Sequence, residues 1–269
     1  MSQDLPPSLD TSAGLKPGDS YVQSFARGLS VIRCFSAEAP RQTLTEVAKR
    51  CGLTRAGARR ILLTLETLGY VRADGRLFEL TPKILDLGFA YLSSQALWQF
   101  AEPLMQQLVS ELHESCSAAV LEGQDIVYLL RVPARKIMSI NLGVGSRLPA
   151  WCTSMGRVLL AGLTPLALQN QLAGVRLQAY TARTVNSLDE LKHRIEQVRQ
   201  QGWCIVNQEL EEGLVSLAAP IVDRHGETVA ALNIGAQVNR YAADELVERC
   251  LPKLLDTAQQ ISRLLQLKT

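Results

Sequence analysis

The stretch that most restricts the fold is residues 43–70, TLTEVAKRCGLTRAGARRILLTLETLGY. Thr43 and Glu46 have the S/T-x-x-E spacing of a capping box, in which each side chain satisfies the other's backbone N–H, so a helix is expected from Leu44. Val47 and Ala48 give it an apolar side. Cys51-Gly52 closes it, because glycine takes the left-handed conformation of a helix end at no steric cost. Thr54 then caps a second helix. At 100° per residue, Ala58, Ile61, Leu62, Leu65 and Leu68 share one face, while Ala56, Arg59, Arg60 and Thr67 share the other, with Arg55 at its edge. A short helix pair whose second member has a leucine back and an arginine front suits a DNA major groove.

The next residues extend that reading. Tyr70-Val71-Arg72 and Arg76–Leu80 flank Ala73-Asp74-Gly75, and Asp-Gly is a strong hairpin signal. Helix, turn, helix and hairpin make a winged helix-turn-helix, with Arg72 and Arg76 beside the turn placed to reach a phosphate or the minor groove. An ordinary helical hairpin with solvated arginines is the alternative. Charge separates the two: residues 41–76 hold eight Lys/Arg against three Asp/Glu, whereas residues 81–269 hold 17 against 18. Positive charge is concentrated where phosphate binding requires it. Upstream, YVQSFARGLSVIRCF carries Phe25, Leu29, Ile32 and Phe35 as a helical stripe expected to pack beneath the second helix. Arg27 flanks it as a candidate backbone contact.

With 269 residues, 47% of them hydrophobic and 20% charged, there is room for two domains. No run of eighteen apolar residues marks a membrane span. The first twenty residues are polar, without the basic and apolar regions of a signal peptide, and read as a disordered arm. Six scattered cysteines without a C-x-x-C pair argue against structural zinc and a disulfide framework, and a reducing cytoplasm is the expected home. Neither a metal nor a cofactor is expected.

Thr81-Pro82 opens a helix over residues 83–99 whose Ile84, Leu85, Leu87, Tyr91, Leu92 and Trp98 exceed what a small DNA-binding domain can bury. It fits a linker helix facing a second subunit, or one lying on its own C-terminal domain. From residue 100 to 269 the pattern is one α+β domain with an antiparallel sheet. Strands are expected at 117–121, 126–132, 137–142, 203–207, 217–222 and 228–234, and helices through Leu104, Leu108 and Leu112, after Gly156, after the Ser187-x-x-Glu190 box and over 242–267. No nucleotide-loop, nucleophile-elbow or zinc-protease motif occurs, so no enzyme is expected. The segment around Trp151, Thr153, Ser154, Met155 and Gly156 runs from a loop into a helix. Unpaired backbone N–H groups there attract a carboxylate, with Trp151 as an aromatic wall. Equally, Thr153 or Ser154 caps the helix and Trp151 fills core. A rival from another class uses Cys152 or Cys204 as a reactive thiol in a redox sensor or enzyme domain.

Across residues 21–265 the chain resembles the IclR family of bacterial transcriptional regulators. The likeness is carried by GLSVI, EVAKRCGLTRAGARRILLTLETLGYV, LTPKILDLG, IVYLLRV, GSRLPAWCTSMGRVLLA and SLAAPI. The wording of YVQSFARGLSVIRCF, LTRAGARR and RLPAWCTSMGRVLLA is similar to the branch that controls aromatic catabolism through the β-ketoadipate pathway. The resemblance implies a winged helix-turn-helix over 21–82, the linker helix, and a GAF-like effector domain in a homodimer or dimer of dimers. It implies an operator duplex as partner, with RNA polymerase a further candidate, and a small carboxylate effector: 4-hydroxybenzoate, protocatechuate or β-ketoadipate. Thr54, Arg55, Ala56, Arg59 and Arg60 would face DNA. Thr153-Ser154-Met155-Gly156 would hold the effector, with the strand Ile205–Glu209, Asn207 within it, and the segments at Ser216 and Asn233 lining the rest. Some relatives carry an acidic residue or cysteine on those later segments, so Val206-Asn207, Ser216 and Asn233 imply lost acidity there.

Overall fold

The computed structural model describes residues 21–94, 97–134 and 142–267. The expected arm at 1–20 lies outside the described residues, as does the strand expected at 137–142 apart from Leu142. The chain divides into two compact units, Met1–Ser94 and Gln95–Thr269.

In the first unit, helix α1 (Gln23–Arg33) precedes the short strand β1 (Arg41–Thr43), α2 (Leu44–Arg50), α3 (Arg55–Thr67) and the hairpin β2 (Val71–Asp74) and β3 (Leu77–Leu80). The capping box is formed: Thr43 Oγ1 accepts from Glu46 N at 3.4 Å, and Glu46 Oε2 accepts from Thr43 N at 2.7 Å. Thr54 Oγ1 accepts from Gly57 N at 3.1 Å to start α3. Between them Gly52 has φ +62°, the left-handed turn a side chain would resist. Ala58, Leu62 and Leu65 of α3 pack on Val31, Val47, Ala48 and Val71. Leu68 is instead the C-cap of α3 and 52% exposed, because the chain leaves the helix there and turns to the wing.

The stripe expected on α1 is corrected. Val31 is the buried residue, with Ile32 and Phe35 partly covered, whereas Phe25 is 68% and Leu29 42% exposed. Helix α1 has two apolar faces that share Ile32, and the domain buries only the one containing Val31. Strand β1 pairs with β3 to make a three-stranded β1-β3-β2 sheet. At three residues it is too short to show alternation in the sequence. Its centre, Gln42, is buried and donates from Nε2 to the carbonyls of Cys34 (2.9 Å) and Ala39 (3.2 Å).

The wing's exit is tied to the end of α3. Thr81 donates from Oγ1 to the Gly69 carbonyl (2.5 Å), and Lys83 donates from Nζ to the Leu68 carbonyl (2.9 Å) while lying over the Tyr70 ring. A cation at a helix C-terminus also meets the negative end of its dipole. A 3-10 turn, Pro82–Ile84, then leads into α4 (Leu85–Ser94), whose Leu85, Leu87, Phe89 and Tyr91 are exposed.

The second unit begins with α5 (Leu97–Leu112) and the hairpin β4 (Ser115–Glu122) and β5 (Asp125–Val132). Strand β6 (Arg147–Pro149), α6 (Ser154–Ala161), α7 (Pro165–Leu172) and α8 (Leu188–Gln201) follow, and then β7 (Cys204–Asn207), β8 (Leu214–Val222), β9 (Thr228–Gln237) and α9 (Ala243–Gln266). The strands form one antiparallel sheet in the order β6-β5-β4-β9-β8-β7. Helices α5 and α9 pack on one face; α6, backed by α8, packs on the other. Strand alternation sorts the residues: Val215, Leu217, Ala219 and Ile221 are fully buried on one side of β8, while Leu214 and Ser216 face the α6 side.

Candidate functional site

The exposed face of α3 presents Arg55, Ala56, Arg59 and Arg60, with the capping Thr54 also exposed. Among the described residues none of these three arginines enters an ion pair, so their guanidinium groups keep their hydrogen-bonding capacity for an outside partner. The wing arginines differ from each other. Arg72 Nε pairs with Glu79 Oε1 at 2.5 Å, and Arg41 pairs with Asp74 and with Glu79. Arg76, at the exposed tip, pairs with no carboxylate among the described residues. Arg27 is exposed on α1. Thus the structure gathers the α3 residues on one face, and Arg72 pairs with Glu79 on the wing while its side chain stays 69% exposed.

In the second unit a cavity of about 50 Å³, measured as the space open to the centre of a water molecule, lies between the sheet and the start of α6. A single water needs about 10–15 Å³ on that measure, so the space suits a small molecule. The cavity is lined by Thr153, Ser154, Met155, Ser216 and Asn233 of the expected set. A hydrogen-bonded chain joins several of them. Ser154 Oγ meets Ser216 Oγ at 2.7 Å, Asn233 Nδ2 donates to Ser216 Oγ at 3.1 Å, and Asn233 Oδ1 accepts from Ser117 N at 3.1 Å.

Three expected residues lie off the cavity. Trp151 is 4% exposed and stacks on Tyr180, centroids 6.0 Å apart, within the core under α6; the aromatic ring at the cavity is Tyr128. Gly156 sits inside α6, which starts at Ser154 rather than after Gly156, and a Cβ there would come 2.0 Å from the Ala150 carbonyl oxygen. Asn207 alternates with Val206, and Val206 is the residue that faces in. Thr153 is the helix cap: its Oγ1 accepts from Gly156 N (3.2 Å) and donates to the Pro149 carbonyl (3.0 Å). Both readings of this segment therefore coexist, since Thr153 caps while the Ser154 hydroxyl faces the cavity.

Acidity is not lost from the site; it is neutralised. Glu209 lines the cavity and is clasped by Arg157, Nη1 to Oε1 at 2.7 Å and Nη2 to Oε2 at 2.5 Å. Arg157 also donates from Nε to the Trp151 carbonyl (3.0 Å), and Val185 N donates to Glu209 Oε2 (3.3 Å). The pair is buried, at 2% and 8% exposure. Gln208, at φ +60°, makes the reversal that turns Glu209 inward, held by Leu214 O and the Thr181 hydroxyl. A non-glycine residue in that conformation is uncommon and tends to mark a functional turn.

The thiol rival loses its basis. Burial pushes the Cys152 and Cys204 thiols up to about 12, so neither is a nucleophilic thiolate at neutral pH. Cys51 is the opposite case, held down to about 7 by a hydrogen bond from the neighbouring Cys34 thiol. Iodoacetamide at pH 8 is expected to label Cys51 about tenfold or more faster than Cys152 or Cys204 in the folded protein. Peptide mass spectrometry reads this, and equal rates would contradict it. Among the described residues no His/Cys/Asp/Glu group could hold a metal, and no helix is long and apolar enough to cross a membrane.

Comparison with known proteins agrees with this architecture. The family model for the IclR helix-turn-helix domain matches residues 24–75, and that for the bacterial transcriptional regulator IclR C-terminal domain matches residues 89–263. The Pca regulon regulatory protein of Pseudomonas putida is 44% identical over 242 residues, covering 90% of this chain and 83% of its own. A solved structure from Rhodococcus sp. RHA1, described as a transcriptional regulator, is 50% identical with a TM-score of 0.83, covering 91% of this chain and 98% of its own. An IclR homologue from Microbacterium hydrocarbonoxydans, crystallised with 4-hydroxybenzoate, shares the fold at a TM-score of 0.79 and 23% identity, over 90% of this chain and 100% of its own. Both family models and these relatives are named as transcriptional regulators, and the chain belongs to the IclR family of DNA-binding transcriptional regulators.

Proposed function

We propose that this regulator controls aromatic-compound catabolism in response to a small aromatic or dicarboxylic acid bound in the cavity. The observation that carries the reading is the cavity itself, which brings polar side chains and the first turn of α6 against an apolar wall. Backbone N–H groups at a helix start, with the positive end of its dipole, favour an electron-rich oxygen of such a ligand. The 4-hydroxybenzoate found in the more distant homologue supports the same ligand class. On the DNA side, Arg55, Ala56, Arg59 and Arg60 read base edges from α3, and Arg76 and Arg27 hold phosphates. The exposed apolar residues of α1 and α4 support a dimer or a dimer of dimers, which a reader of palindromic sites needs. Effector binding then shifts the equilibrium between subunit arrangements of different operator affinity, a coupling of about 1–3 kcal/mol.

Arg59→Ala tests the reading at its DNA face. If Arg59 meets a guanine edge, the variant loses about 1–3 kcal/mol on the operator and little on random duplex. Fluorescence anisotropy on both duplexes distinguishes this from equal weakening on the two, which would make Arg59 a phosphate contact.

A further inference from the structure

Strand β5 carries an irregularity that changes which residues reach the cavity. Ala119 pairs with Tyr128, but its neighbour Ala118 pairs with Leu130, so Leu129 is an extra residue opposite no partner. Such a bulge reverses the alternation of side chains beyond it and re-aims them. Before the bulge, Ile126 and Tyr128 face the α6 side; beyond it, Arg131 does, and both Tyr128 and Arg131 line the cavity. Regular alternation from Tyr128 would have sent Arg131 to the opposite face.

Arg131 arrives beside small polar residues. It is in register with Ser117, which is in register with Asn233 on β9. Its Nη1 lies 3.5 Å from Ser117 Oγ. The polar stripe therefore crosses four strands, from Arg131 on β5 through Ser117 and Asn233 to Ser216 on β8, and ends at the Ser154 hydroxyl. Three strand spacings span about 14 Å. Charge along it is uneven. Arg131 is the one Lys or Arg lining the cavity among the described residues, and the one carboxylate there, Glu209, is neutralised by Arg157. Among the described residues, the lining therefore places its one cation on β5.

We propose that Arg131, aimed into the cavity by the β5 bulge, holds a carboxylate of the effector, while Ser154, Ser216 and Asn233 meet its hydroxyl, oxo or second carboxyl group. The assignment rests on the cavity being the effector site. It gives the ligand a direction: an acid end toward β5 and a second polar end toward α6, with Tyr128 and Met155 bounding the apolar middle. A planar guanidinium suits this because it offers paired donors that match a carboxylate.

The test is calorimetric titration of the full-length protein with 4-hydroxybenzoate, protocatechuate and adipate, each beside its uncharged amide. At least one acid is expected to bind wild type about 30-fold more tightly than its amide, as hydrogen bonds to a charged group allow. In Arg131→Met that preference is expected to fall below about threefold, with amide affinity little changed. An Arg131→Met protein that keeps the full preference overturns the assignment and leaves the effector reading standing. Wild type that binds none of the acids overturns the effector reading itself. Should Arg131→Met fail to fold, the Nε–Hε NMR resonance of Arg131, identified by its loss in Arg131→Lys, gives the answer in wild type. It shifts with the acid and not with the amide if the assignment holds, and an unmoved resonance at saturating acid overturns it.

Discussion

Gly156→Ala is expected to be among the most damaging single substitutions in the second unit. The added Cβ would lie 2.0 Å from the Ala150 carbonyl oxygen, 2.3 Å from its Cα and 2.5 Å from its carbonyl carbon. All three are backbone atoms of the buried turn that crosses the first turn of α6, so no side chain can swing away. Forcing such a contact into a packed core costs about 3 kcal/mol or more. For a domain of this size that lowers Tm by roughly 6–12 °C. Differential scanning calorimetry reads the effect, and a Tm within about a degree of wild type would contradict it. The result would also reassign this glycine: it lets the Ala150 turn sit on α6 and so positions Ser154 and Met155 at the cavity.

Glu209→Ala is the second large effect. Removing the carboxylate leaves Arg157, 2% exposed, as an uncompensated buried charge, and breaking one side of such a pair costs about 3–5 kcal/mol. Arg157→Ala should be comparable, and the double variant should cost much less than the sum, because neither charge is then stranded. Urea denaturation of the four proteins closes this cycle. Additive losses would mean the two residues act independently, contrary to their paired hydrogen bonds.

The DNA-binding half was legible because its signals are local. A capping threonine three residues before a glutamate, a glycine after a helix and an Asp-Gly turn each act within a few residues, and the structure forms all of them. The two-faced α1 was not, since Phe25, Leu29 and Val31 are all apolar and only the packing against α2 and α3 decides which is covered. Strand β1 escaped for lack of length. In the second unit β4, β5, β7, β8, β9 and the closing helix followed from periodicity, the three-residue β6 was too short to show, and the cavity depends on relations between distant segments. The pairing of Arg157 with Glu209 joins residues 52 positions apart. Arg131 was hidden for a different reason: strand alternation, the rule that finds inward residues, fails where a bulge inserts one more. Trp151 could be read either way, because an aromatic side chain beside a ligand segment serves equally well as wall or core.

The most direct test of the account is an anisotropy titration of the full-length protein onto a duplex from its own upstream region, beside random DNA. Both are repeated with 4-hydroxybenzoate, protocatechuate and β-ketoadipate. The account predicts tighter binding to its own duplex, changed several-fold to about a hundredfold by at least one acid, the range that a coupling of 1–3 kcal/mol permits. Equal affinity for both duplexes, unmoved by all three acids, would contradict it.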